Sequence, residues 1–71
     1  MEPDPHLGEK VFIRHVKLPK LPVRTGTVTE VGYRFFTVTT DDTDVDIQFR
    51  LGNWVQRIHG TPDFTISRTA P

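Results

Sequence analysis

Three groups of residues in this chain have the types and spacing to do chemistry, and each also has a plainer explanation. Asp42-x-Asp44-x-Asp46 gathers carboxylates at alternate positions, as the start of a calcium loop does. An EF-hand loop also needs a glycine at its sixth position and a distal bidentate Glu, and this run has neither. In extended backbone alternate side chains point to one side. The run therefore reads as a solvated acidic face, suited to orienting a docking partner and not to holding a metal. The second group is aromatic and basic: Phe12 between Lys10 and Arg14, and Tyr33 and Phe35 around Arg34. Aromatics interleaved with Arg and Lys form the platforms of single-stranded nucleic-acid binders, where each stacked base contributes about 1 to 3 kcal/mol. The same side chains, with Trp54, suit apolar anchoring on a protein partner. Their plainer role is a second minor core in a barrel that curls over both faces of its strands. The third group, Leu18-Pro19-Lys20-Leu21-Pro22-Val23-Arg24, fits the apolar-Pro-x-apolar-Pro-x-basic pattern of a polyproline ligand. Such a segment is already extended and loses little entropy on docking. It reads more simply as a stiff loop with its leucines folded over one barrel end, since Val23 and Arg24 begin a strand-like run.

Catalysis finds no comparable support. His6, His15 and His59 are scattered, Ser67 is the lone serine, and there is no cysteine to act as nucleophile, disulfide partner or zinc ligand. A hydrolytic triad needs elements converging in a cleft, which a chain of 71 residues rarely forms. The expectation is a non-catalytic protein with no cofactor and no metal. Net charge is zero, whereas non-specific nucleic-acid binders carry an excess of Lys and Arg. The charge is uneven: Lys10, Arg14, Lys17, Lys20, Arg24 and Arg34 precede the acidic run at Asp41, Asp42, Asp44 and Asp46. A dipolar surface of this kind favours oriented docking. The N-terminus shows no basic stretch followed by an apolar one, and no segment approaches membrane-spanning length, so the expected setting is the cytoplasm.

The elements that must position these residues are strands. Period-two alternation predicts a first strand over 10–16 with Val11 and Ile13 inward, then a loop over 17–22. A hairpin follows around Val31-Gly32-Tyr33-Arg34, with Gly32 expected to supply a positive φ. Val28, Phe36 and Val38 are its inward set. Asp41-Asp42-Thr43 is read as a tight turn whose Asx side chains cap backbone amides. A fourth strand over 44–50 sends Val45, Ile47 and Phe49 inward. Gly52-Asn53 marks another turn, with Trp54, Val55 and Ile58 as apolar cover, and a last strand runs over 64–67 with Phe64 and Ile66 inward. Residues 1–7 read as a disordered lead-in and 68–71 as a frayed tail. The sum is an all-β, single, small five-stranded antiparallel barrel over 8–67.

Gly8-Glu9-Lys10-Val11, Gly26-Thr27-Val28-Thr29-Glu30-Val31-Gly32 and Phe35-Phe36-Thr37-Val38 together show a "G-[DE]-x-V", "G-x-V-x-x-[VI]-G" and "aromatic-x-T-V" pattern. Over roughly residues 8 to 50 the chain resembles small SH3-like β-barrels of the KOW and Tudor type, and is similar to short barrel proteins encoded in bacteriophage genomes. That resemblance implies an interaction module, since such barrels bind RNA, DNA, peptides and host enzymes. The expected role is docking on a protein partner as a phage-like accessory or host-directed factor. The anchors would be Phe12, Tyr33, Phe35 and Trp54, with Arg14, Arg34, Asp42, Asp44 and Asp46 giving orientation. The alternatives are direct single-stranded nucleic-acid binding by the basic-aromatic face, and a homo-oligomer that buries the aromatics.

Overall fold

Alternating apolar and polar positions become the two faces of one curled sheet. The computed structural model describes residues 4–18 and 20–69. Its strands are β1 (Lys10–His15), β2 (Arg24–Val31), β3 (Phe35–Thr40), β4 (Asp46–Arg50) and β5 (Phe64–Ser67). They pair antiparallel in the order β4-β3-β2-β1-β5 and form a half-barrel, with no helix among the described residues. β1 to β4 follow one another as a meander, and β5 returns to the free side of β1, setting Phe12 opposite Ser67 and Ile13 opposite Ile66. In β2 Val28 faces Val38 but Glu30 faces Thr37, so Thr29 is an extra, bulged residue. Such a bulge raises the local twist and helps the sheet to curl.

The concave face holds the core: Val11, Ile13, Val28, Phe36, Val38, Ile47, Phe49 and Trp54, with Leu51, Phe64 and Ile66 packed against it. Phe36 lies between the rings of Phe49 and Trp54, at centroid distances of 5.8 and 5.1 Å. Every inward position expected of β1, β2, β3 and β5 is found there. Val45 is not: it is 52% exposed, because β4 begins only at Asp46. The preceding turn is longer than expected. Asp44 takes a left-handed backbone with φ 54°, and Thr40 and Val45 close the turn through a Thr40 N–H to Val45 carbonyl bond of 2.9 Å. The Val45 amide is capped in return by Thr40 Oγ1 at 2.9 Å, a role expected of the neighbouring Asp side chains. Gly32 differs too. It lies outside the left-handed region, and its N–H donates to the Phe35 carbonyl at 2.8 Å. A Cβ there would sit 3.0 Å from that oxygen, so the hairpin uses its small size.

Residues 4–9 and Arg68 come together beside Trp54. Arg68, expected in a frayed tail, forms an ion pair with Glu9, donates to the Asp4 carbonyl at 2.8 Å and lies 4.5 Å above the Trp54 ring. Pro5, expected in the lead-in, is buried. Residues 1–3 and 70–71 of those expected disordered ends lie outside the described residues, as does Pro19 of the polyproline-like loop.

Candidate interaction site

The register of β1 to β4 decides which of the expected contact residues can act together. Phe12 is half-buried on the convex face of β1, opposite Thr25 on β2 and Ser67 on β5, and Arg14 follows it opposite Thr65. Phe35 lies at the other end of the sheet, level with Gly32 beyond the end of β2. From Thr25 to Gly32 the chain runs for roughly 20 Å at strand rise. Phe12 and Arg14 therefore do not share a surface with Phe35, Tyr33 and Arg34, and the single basic-aromatic face expected from the sequence divides in two.

The Phe35 end is the richer half. Cross-strand pairing puts Arg50 opposite Phe35. The chain then turns back along β4 through an Arg50 N–H to Val55 carbonyl bond and an Arg57 N–H to Gln48 carbonyl bond, each 2.8 Å. This return sets the Arg57 guanidinium 4.2 Å above the Phe35 ring, with that of Arg50 at 6.0 Å. The Arg57 group is steadied by donating to Gln48 Oε1 at 3.0 Å. Tyr33, at the hairpin tip, is 95% exposed, and Arg34 beside it is exposed. Among the described residues no carboxylate forms an ion pair with Arg34, Arg50 or Arg57. Arg50 was legible in principle, since Phe35 and Arg50 are the outward residues at facing ends of a hairpin. Arg57 lies past a turn, in a segment without alternation, and nothing in the sequence marks it.

The acidic run does not form one docking face. Asp42 is held by Arg24, whose Nε and Nη2 donate to its two oxygens at 3.0 and 2.8 Å. Asp41 accepts from Lys10 Nζ at 3.1 Å and from Thr27 Oγ1 at 2.9 Å. Asp46 turns onto the convex face and accepts from Thr39 Oγ1 at 2.7 Å. Asp44 is exposed in the turn. The Arg24 hydrogen bonds hold the Asp42 carboxyl below its ordinary pKa, and hydrogen bonds from Thr25, Lys10 and Thr27 do the same for Asp41. Asp41 and Asp42 are thus matched by bases from β1 and β2, whereas Asp44 and Asp46 form no ion pair among the described residues. The basic member of the polyproline-like run, Arg24, is likewise committed to Asp42.

Trp54, expected as a partner anchor, is only 6% exposed and belongs to the core, where its ring packs between Phe36 and the Arg68 guanidinium. The remaining titratable groups are dispersed, and among the described residues no set of three His, Cys, Asp or Glu side chains gathers as a metal site. No described helix is long and apolar enough to cross a membrane. No family model, curated protein or solved structure matches the chain.

Proposed function

We propose that this chain is a non-catalytic interaction module that docks on a protein partner through Tyr33, Arg34, Phe35, Arg50 and Arg57. The observation that carries the reading is the Arg57 guanidinium 4.2 Å above the Phe35 ring, beside further arginines with no acidic partner among the described residues. Tyr and Arg dominate interface hot spots because they combine large contact area with hydrogen-bonding ends. Stacking holds the Arg57 fork in place before a partner arrives, which lowers the entropy lost on binding. The partner surface that fits is acidic with apolar relief. The strand order β4-β3-β2-β1-β5 supports the likeness to SH3-like barrels. A phage-like, host-directed role in the cytoplasm belongs to the same proposal through that likeness.

A second reading, single-stranded nucleic-acid binding, is favoured by the same unmatched arginines. The two part on salt dependence. Arginines that contact phosphates release counterions, so affinity falls steeply between about 50 and 200 mM salt. An interface anchored by Phe35 and Tyr33 responds weakly.

The test is capture of partners from cell lysate on the immobilised chain, alongside NMR titration with oligo-dT. The expected result is a protein captured at both salt levels by the wild type and lost with Arg57→Ala and with Phe35→Ala. Arg57 is exposed, so its replacement leaves the core in place. Capture unchanged by either substitution rules this surface out, and salt-reversed oligonucleotide shifts at Tyr33 to Phe35 favour the second reading.

A further inference from the structure

The half-barrel has an unclosed seam, and the polar groups left open along it point to an occupant. On one side runs β5, an edge strand. On the other runs the segment 53–57, which covers the far edge of β4 through the Arg50 and Arg57 amides and the Phe49–Gln56 bridge. Between them lies a groove of about 230 Å³ lined by Trp54, Val55, Gln56, Pro62, Phe64 and Ile66.

The orientation of β5 follows from its pairing. Val16 N–H donates to the Asp63 carbonyl at 2.9 Å, so alternation turns the backbone groups of Thr65 and Ser67 towards β1 and those of Phe64 and Ile66 towards the seam. Gln56 Oε1 takes the Phe64 amide at 3.0 Å and the Asp63 amide at 2.8 Å, closing the seam at that end like a clasp. Beyond the clasp, the Phe64 carbonyl and the Ile66 N–H and carbonyl have no partner among the described residues. A second, independent observation concerns Trp54, one of the residues that line this groove. The indole N–H of Trp54 is buried without a hydrogen-bond partner among the described residues, in a residue 6% exposed whose backbone holds φ 59°. Orphaned buried donors are rare, and a bulky residue in the left-handed region is an outlier of the kind that clusters at binding sites.

We propose that the seam binds an extended segment of a partner polypeptide, which adds to β5 as a sixth strand and accepts the Trp54 indole N–H on one of its carbonyls. An alternation of acceptor, donor and acceptor along Phe64 and Ile66 is what a polypeptide backbone complements. The apolar lining takes alternate apolar side chains of that segment. A second copy of this chain fits less well, because a four-residue edge buries far less than the roughly 1,200 Å² of a stable dimer. The residues that line this groove are not those of the arginine patch, although Arg57 ends the segment that walls it, so each surface is tested by its own residues.

The test uses the full chain, labelled with ¹⁵N, and the capped peptide acetyl-Lys-Thr-Val-Thr-Val-Thr-Val-Lys-amide as probe. The expected result is saturable movement of the Ile66 amide and Trp54 indole signals, with the Tyr33 and Arg34 amides at the hairpin tip unmoved. Trp54→Phe keeps an aromatic ring in the core and removes the donor, and should weaken peptide affinity about tenfold. The same peptide N-methylated at its valines leaves the protein untouched and should not bind. No movement of those two signals at millimolar peptide overturns the proposal, as does equal affinity for Trp54→Phe or for the N-methylated probe. Signals that shift with protein concentration alone would assign the seam to a second copy instead.

Discussion

Gly26 occupies an inward position of β2, two residues before Val28, where the alternation calls for a large apolar side chain. A Cβ at this position would lie 2.6 Å from Val38 Cγ1, 2.9 Å from Ile13 Cδ1 and 3.1 Å from the Thr39 carbonyl. Two core side chains and a neighbouring strand thus fill the space a residue here would need. Gly26→Ala should therefore destabilise the fold by about 1 to 3 kcal/mol through overpacking, read as a lower urea midpoint. Unchanged stability would mean that β2 and β3 are less tightly packed than described. Single residues were legible in the sequence where alternation alone decides their side, as for Val11, Ile13, Phe36 and Phe49. Trp54 was not, because it follows a turn and takes a left-handed backbone that no pattern announces. Its size and polar handle suggested a surface anchor, and its burial against Phe36 came from a return of the chain that periodicity does not encode.

At the level of elements, the connection from β3 to β4 shows how a turn sets what its strands present. Thr40 is buried, and its hydroxyl accepts the Val45 amide at 2.9 Å while bonding Thr43 Oγ1 at 2.8 Å. Thr40→Val keeps the shape and removes both bonds, which should cost roughly 1 to 2 kcal/mol. Amide exchange should then quicken at Val45 before it does in β1. Uniform exchange rates would assign the turn a passive role. β1 and β5 were readable within a residue of their ends, and the hairpin of β2 and β3 by its inward set, because half-buried strands alternate. The start of β4 was misplaced, since Asp44-Val45-Asp46 continues the alternation on paper while Thr40 draws Val45 into the turn. The site was readable only in part for a related reason. Phe12 and Phe35 look alike in sequence, and only the pairing register sends them to opposite ends of the sheet.

Across the whole molecule, the ion pairs Glu9–Arg68, Asp41–Lys10, Asp42–Arg24 and Asp63–Lys17 join segments distant in sequence. Arg68 lowers the pKa of Glu9 chiefly by hydrogen bonding, and Asp41 and Asp42 are lowered as well. A carboxylate whose pKa is lower folded than unfolded stabilises the fold above its unfolded value and loses that contribution as pH falls through its folded value. Stability should be level near neutrality and decline below about pH 4 to 4.5. Glu9→Gln should remove about 1 kcal/mol at neutral pH and flatten the acid limb. Urea unfolding from neutral pH to about pH 3 checks this, and an unchanged slope in the variant would place the acid sensitivity elsewhere. The unequal treatment of the two sheet edges has a consequence for polymer growth. A fibre built by edge pairing requires monomers with two reactive ends, one to join the growing tip and one to become the next tip. Here segment 53–57 occupies the edge of β4 from Gln48 to Arg50, so growth through both edges at once should be disfavoured, and edge-on association should favour short species over long fibres.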